Sequence, residues 1–229
     1  MSDKISDYLL EGNNQYMVFS KPAGMNVQPD PTGDESLLKL ASAYAKRNVF
    51  LLHRLDRPVS GVVVFPKTKN TLQNLERQFR ERTATKVYLA LVKKAPPETQ
   101  GTLVHYLKKD GRKKRAVAYD KPTEGSKRAE LSYRTLATSD TYTLLEVELL
   151  TGRFHQIRAQ LSAIGSPVKG DVKYGARRAN RDRSIGLHAW KLGFDHPING
   201  KRVLVTAPPP NEQPWSALMA QVGGSSEEE

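Results

Sequence analysis

Short runs rich in β-branched and aromatic residues recur along this chain, and they do not alternate regularly with helical stretches. Residues 15–20, 49–53, 61–65, 86–93, 129–136, 142–150 and 202–206 read as strands. The clearest alternation lies in 142–150, where Leu145, Val147 and Leu149 share one face and Glu146 and Glu148 the other. Three stretches carry helical spacing instead. Leu37, Leu40, Ala41 and Tyr44 mark 36–46; Leu72, Leu75 and Phe79 mark 69–82; Phe154, Ile157, Leu161 and Ile164 mark 154–164, with Gly165 suited to the C-terminal turn. Strands outnumber helices without β-α alternation, so the pattern predicts an α+β fold and not a doubly wound parallel sheet. No low-complexity linker or internal repeat interrupts 8–210, and one domain over 1–222 is the simplest organisation. The stretch 223–229 lacks apolar residues and is expected to be a disordered acidic tail.

Composition narrows the chemistry. The chain has 229 residues and no cysteine, so disulfides, thiol nucleophiles and Cys-ligated zinc are excluded. Apolar runs such as 62–65 and 88–92 fall far short of the ~20 residues that cross a bilayer as a helix. The first residues have no apolar core of a secretory signal, so a cytoplasmic location is expected. The formal net charge is +12, and it is clustered. Residues 105–128 hold nine Lys/Arg against three Asp/Glu, and 169–183 hold six against two. Such clustering suits a polyanion, because cations near phosphates release condensed counterions; a merely basic soluble surface is the other reading.

Three segments combine residue types that can do chemistry. In 53–65 an apolar run gives way to His53-Arg54-Leu55-Asp56-Arg57-Pro58-Val59-Ser60, then to an apolar strand. Asp56 therefore falls on a loop between two expected strands, a rigid scaffold with an exposed tip. An Asx-turn with Arg54 and Arg57 as solvated charges would use the same residues. In 151–158, Thr-Gly-Arg153-Phe-His155-Gln-Ile-Arg158, His155 and Arg158 are three apart and are expected on one helical face. The helix start offers N–H groups to an anion, and Arg158 offers a fork to a carboxylate; a wet, capped helix end is the alternative. In 86–92, Tyr88 can present a ring to a base or simply pack in its strand. The five histidines lack metal-ligand spacing, and neither a phosphate-binding glycine loop nor a G-x-S-x-G elbow occurs, so no metal or cofactor is expected.

Taken in order, these segments resemble the RluA-type pseudouridine synthase family. Lys21-Pro22-Ala23-Gly24 is similar to its K-P-x-G motif, and His53-Arg54-Leu55-Asp56 with Ser60-Gly61 to its H-R-L-D-x-x-T-S-G signature. Lys86-Val87-Tyr88-Leu89-Ala90 is similar to K-x-Y-x-A, and 151–158 to T-G-R-x-H-Q-I-R. Residues 165–171 with Tyr174-Gly175 resemble G-x-P-I-x-G-D…Y-G, and Leu187-His188-Ala189, His196-Pro197 and Ala207-Pro208 resemble the C-terminal pattern. The likeness spans roughly 16–210. Val59 stands where many members carry Thr. The K-P-x-G motif begins by residue 21, so the S4-type module common in the family is not expected ahead of it.

The resemblance implies a single mixed, largely antiparallel sheet with flanking helices and a central RNA-binding cleft. It implies an enzyme that isomerises a uridine of structured RNA (ribosomal or transfer RNA) to pseudouridine, without cofactor or metal. Asp56 is then the essential carboxylate, whether it attacks the ribose or the base or takes a ribose proton. Arg158 pairs with it, and Tyr88 stacks on the target uracil. Arg54 fills the space left by a flipped base. RNA contacts are expected from Arg54, Arg57, Lys86, Arg153 and His155. A flexible hairpin or loop over 108–128, with Lys113, Lys114 and Arg115, should line the RNA groove. A monomer is the default. The competing readings are a non-catalytic RNA-binding protein on the same scaffold and an N-glycosidic hydrolase, which would want a second carboxylate to activate water.

Overall fold

A computed structural model describes residues 4–31 and 33–224. The strands are β1 (Leu9–Gly12), β2 (Tyr16–Lys21), β3 (Ser60–Pro66), β4 (Thr85–Val92), β5 (Gln100–Asp110), β6 (Arg115–Tyr119), β7 (Lys127–Thr138), β8 (Thr143–Leu149), β9 (Leu187–Asp195) and β10 (Arg202–Thr206). The helices are α1 (Leu37–Tyr44), α2 (Lys69–Glu81), α3 (Gln156–Ala163) and α4 (Trp215–Gly224). The α+β class is as expected. The chain divides into two compact units, each discontinuous in sequence. The first comprises 1–86 and 188–208, the second 87–187 and 209–229.

In the first unit, β1, β2 and β3 form antiparallel pairs, β3 runs parallel to β9, and β10 pairs antiparallel with β9. All seven residues of β3 are buried, which accounts for its unbroken apolar sequence. Ser36 Oγ accepts from the Lys39 N–H to cap α1, and Thr68 Oγ1 accepts from the Thr71 N–H to cap α2. Buried Leu75 and Gln78 mark the inner face of α2, and Gln78 bonds both the N–H and the carbonyl of Asp195, tying the helix to β9.

In the second unit β8 pairs with both β4 and β7, β7 with β5, and β5 with β6, all antiparallel. Buried Leu107, Ala116, Ala129, Ala159 and Tyr174 form a cluster under α3 and the following turn. Gln160 of α3 donates to the carbonyl of Leu103 at 3.0 Å and approaches His105 Nδ1 at 3.1 Å, so a buried amide fastens the helix to β5.

The structure departs from the sequence pattern in the 49–53 stretch, in the number of elements and in the extent of the tail. Residues 49–53 form no strand. They are held by a bond from the Phe50 N–H to the Pro66 carbonyl, and His53 Nε2 accepts from the Val64 N–H at 3.1 Å. The imidazole thus replaces a ladder bond. The basic stretch 108–128, expected as a flexible hairpin or loop, takes the hairpin form, in which Lys108 faces Val117 and Asp110 faces Arg115. Strands β1, β5, β6 and β9 and helix α4 lie outside the stretches whose composition predicts an element. Gly223 and Gly224 close α4, and the rest of the expected tail, from 225 on, lies outside the described residues.

Candidate active site

The loop 54–59 is pinned at both ends within the first unit. At its exit, Gly61 has φ +115°, and a Cβ there would lie 2.2 Å from the Ala189 carbonyl oxygen. Only glycine lets β3 approach β9 in this register, Ser60 opposite His188 and Gly61 opposite Ala189. Buried Ser60 and His188 are joined by a bond of 2.8 Å between Oγ and Nδ1, and His188 Nε2 lies 3.0 Å from the Ala207 carbonyl. A carbonyl only accepts, so Nε2 carries the proton and Nδ1 accepts from the Ser60 hydroxyl. The ring is neutral: burial pulls its pKa down to about 4, against the bond to Ala207.

At the loop's other side stands Lys21, whose side chain the notation K-P-x-G leaves without a role. Lys21 is 0% exposed. Its ammonium donates to the carbonyls of Pro22 at 2.9 Å, Met25 at 2.8 Å and Arg57 at 3.3 Å. Burial lowers its pKa to about 7; attraction to Asp56 opposes the fall and repulsion from Arg57 adds to it. Arg57 is bound in turn: its carbonyl accepts from the Gly24 N–H at 2.8 Å, its Nε donates to the Gly24 carbonyl at 2.9 Å, and its guanidinium pairs with Asp34 at 2.7 Å. The Val59 N–H donates to the Asp56 carbonyl at 3.0 Å, closing the turn. Asp56 is half-buried and Arg54 exposed. The first unit therefore brings Lys21, Asp56 and Arg57 into one braced loop.

Lys86 is half-buried, with its ammonium 5.6 Å from the centre of the Phe79 ring. Burial lowers its pKa, and the neighbouring Arg82 charge adds to the shift. His53 is drawn down to about 4, chiefly by burial and then by Lys86, which suits its role as an acceptor of the Val64 N–H.

The second unit carries Tyr88, Arg153, His155, Arg158 and the basic hairpin. Tyr88 is half-buried on β4, opposite Val147 of β8. Arg158, in the first turn of α3, is 6% exposed, and its fork meets the 2% exposed carboxylate of Asp171 at 2.6 and 2.9 Å. Its guanidinium also lies 5.0 Å from the centre of the Tyr174 ring. His155 does not share a helical face with Arg158. It is the N-cap, in left-handed conformation with φ 52°, and its ring stacks on Phe154 at 3.8 Å. His155 Nδ1 and the Tyr174 hydroxyl are 2.9 Å apart, and that hydroxyl accepts from the Ala116 N–H of β6 at 2.7 Å. Gln156 organises the turn before α3: its Oε1 accepts from the Thr151 hydroxyl and the Arg153 N–H, while its Nε2 donates to the Glu130 carbonyl. Arg153 is exposed and donates to the Arg128 carbonyl at 3.0 Å.

At the hairpin tip Lys113 and Lys114 are exposed, and the Lys113 N–H donates to Asp110 Oδ1. Arg115 is half-buried, with its Nε buried. Among the described residues no cluster of three or more His, Asp or Glu could hold a metal ion. Among the described residues no helix is long and apolar enough to cross a membrane. The residues sequence reasoning missed, Lys21, Asp171 and Tyr174, all lie in quoted motifs; only their partners, far away in the chain, reveal what they do.

The family model described as RNA pseudouridylate synthase matches residues 15–163. The chain belongs to this family. Among relatives of this pseudouridylate synthase-family chain is a Chloroflexus aurantiacus protein named "Uncharacterized RNA pseudouridine synthase". It is 38% identical over 200 residues, covering 83% of this chain and 62% of its own length. "Ribosomal large subunit pseudouridine synthase C" of Buchnera aphidicola is 31% identical, covering 89% of this chain and 67% of its own. The solved structure titled "Human RNA Pseudouridylate Synthase Domain Containing 1" has a TM-score of 0.77 and 25% identity, over 96% of this chain and 94% of that one. The chain spans a little over three fifths of the length of the first curated relatives it matches.

Proposed function

We propose that this chain isomerises a uridine in structured RNA to pseudouridine, with Asp56 as the essential carboxylate. The N1–C1′ bond of the nucleoside breaks, a C5–C1′ bond forms, the C5 proton leaves and N1 takes a proton. The balance is internal and calls for no co-reactant. The observation that carries this reading is the braced loop in a chain of this family: Lys21 and Arg57 on one side and the Ser60–His188 bond on the other fix the backbone around Asp56, leaving its carboxylate only half-buried. Such preorganisation suits a group that must meet one sugar or base carbon.

The family resemblance assigns Arg158 to favour and aim this carboxylate, and within the second unit Asp171 orients its guanidinium. Tyr88 stacks on the uracil. The base leaves its stack at a cost of a few kcal/mol, and Arg54, exposed on the loop, fills the vacancy. Lys86, Arg153, His155 and the hairpin cations Lys113, Lys114 and Arg115 supply RNA contacts that offset this cost. Two relatives are named for the large ribosomal subunit, so a ribosomal RNA stem-loop is the first substrate to test, ahead of transfer RNA.

The test is release of tritium from RNA carrying C5-tritiated uridine, followed by nucleoside analysis. The wild type should release tritium and yield pseudouridine, and Asp56→Asn should bind RNA but release none. Free uracil as the product would establish the hydrolase reading. RNA binding with no conversion, in cellular RNA lacking its own modification, would establish the non-catalytic one.

A further inference from the structure

The second unit contains a cavity of about 840 Å³ that includes none of the residues assigned to the reaction above. Lys93, Lys94, Lys169, Arg177, Arg178 and Arg181 line it, against two carboxylates, Asp182 and Glu212. The volume lies in the range that encloses whole organic ligands and far exceeds the needs of one phosphate. An occupant that fills it combines several negative charges with bulk.

The wall is organised in advance. Lys169 Nζ donates to Asn180 Oδ1 at 2.8 Å, Asn180 Nδ2 donates to Ser184 Oγ at 3.1 Å, and Ser184 Oγ donates to Asp182 Oδ1 at 2.8 Å. Gly170 has φ +79°, and a Cβ there would lie 2.7 Å from Asn180 Cγ, so any side chain would have to displace Asn180. These bonds fix the segment that displays the arginines. Arg177, Arg178 and Arg181 are exposed and have no salt-bridge partner among the described residues. Half-buried Tyr142 adds a ring to the lining, with Lys169 Nζ 5.9 Å from its centre.

Planar guanidinium forks match phosphodiester oxygens, and an aromatic face accepts any unstacked base. We infer that this bay is a second RNA subsite, holding a short run of unpaired nucleotides outside the reacting uridine, phosphates on Arg177, Arg178 and Arg181 and a base on Tyr142. The inference rests on the reading that the substrate is RNA, and it names a part of that RNA the reaction itself does not touch. It also bears on positioning: Gly170 of the wall directly precedes Asp171, the carboxylate that grips Arg158, so ligand held in the bay stiffens the segment that orients this arginine.

The full chain and its Arg177→Gln/Arg178→Gln/Arg181→Gln variant should be titrated with a fluorescein-labelled oligouridylate across a salt series. Three lost contacts to a single strand should lower the slope of log affinity against log salt by about 2, with at least about a tenfold loss of affinity at low salt. Tyr142→Ala should weaken binding while Tyr142→Phe retains it, and oligouridylate carrying bromouridine should crosslink under light to the peptide containing Tyr142. An unchanged slope in the triple variant overturns the subsite. So does tight binding of uridine monophosphate that oligouridylate cannot displace, which would mark a mononucleotide site. The tritium-release assay separates the two readings: a wild type that converts no uridine while the triple variant loses oligouridylate removes the isomerase and keeps the bay, whereas active wild type with an unaffected variant removes only the bay.

Discussion

The hydroxyl of Ser60 donates to Nδ1 of His188 at 2.8 Å, from 128 positions away in the chain. Through this bond and the one from Nε2 to Ala207, three distant segments meet at the exit of the loop that carries Asp56.

Stability should therefore fall in mild acid. With a folded pKa of about 4 against an ordinary 6.5, His188 stays neutral in the fold while the unfolded chain takes up a proton. The unfolded state then binds more protons between these values, so stability is lost as pH falls from 6.5 toward 4, by up to about 3 kcal/mol from this residue. His53 acts in the same direction. His188→Asn should cost about 2 kcal/mol at neutral pH and flatten this dependence, as read by denaturant unfolding across the acid range. A variant as pH-sensitive as the wild type would show that His188 is not the titrating group.

The Lys21 ammonium should govern turnover more than RNA affinity. Lys21→Met removes three donations to the loop backbone and the charge beside Asp56, and turnover should drop at least about tenfold with the RNA dissociation constant within about twofold. Because the folded pKa is about 7 against 10.5 unfolded, the unfolded chain binds more protons over this window, so the lysine's burial opposes folding at neutral pH and less so as pH rises. Wild-type turnover should decline as pH rises through 7, and the variant should lack this limb.

Gly61 and Gly24 make a matched pair. Both have positive φ, but a Cβ at Gly61 would collide with the Ala189 backbone, whereas Gly24 has nothing within 4 Å. Gly24→Ala should cost about 1–2 kcal/mol for the left-handed backbone alone. Gly61→Ala should cost more than about 4 kcal/mol, since β3 and β9 must part. Thermal unfolding of the two variants compares them directly.

Asp171→Asn takes from Arg158 its bidentate carboxylate in a buried setting and should destabilise the fold by about 3–5 kcal/mol. The double variant Arg158→Met/Asp171→Leu should recover most of that loss in a denaturant titration while remaining inactive in tritium release. Recovery of activity would refute the assignment of Arg158 to the site.

Lys113→Gln/Lys114→Gln should weaken RNA binding without destabilising the chain, because both side chains are exposed at a turn closed by Asp110 and Arg115. The salt slope should fall by about 1.4 if each meets one phosphate of a single strand.

Much of the local structure was legible because its signals are local. The apolar run of β3, the spacing of α2 and the residue types around Asp56 declare themselves within a few positions. Reading failed where a partner far off in the chain decides. Residues 49–53 have strand composition, yet bonds from Val49 to the Ser42 hydroxyl and from Phe50 to Pro66, with the His53 imidazole, stand in place of a ladder. Strand β9 contains Lys191 and Gly193 and shows no clean alternation; it is a strand because β3 and β10 flank it. His155 sits in a helical pattern but caps the helix, since Phe154, Tyr174 and Gln156 fix the turn around it.

The amino-acid order alone thus determined the class of fold, the family and the short motifs, for these depend on which residues neighbour one another along the chain. Folding alone decided that Lys21 braces the loop of Asp56, that Asp171 grips Arg158, and that three arginines surround an open bay. Hydrogen bonds and burial act across space, and a linear pattern carries no distance between residues that folding brings together.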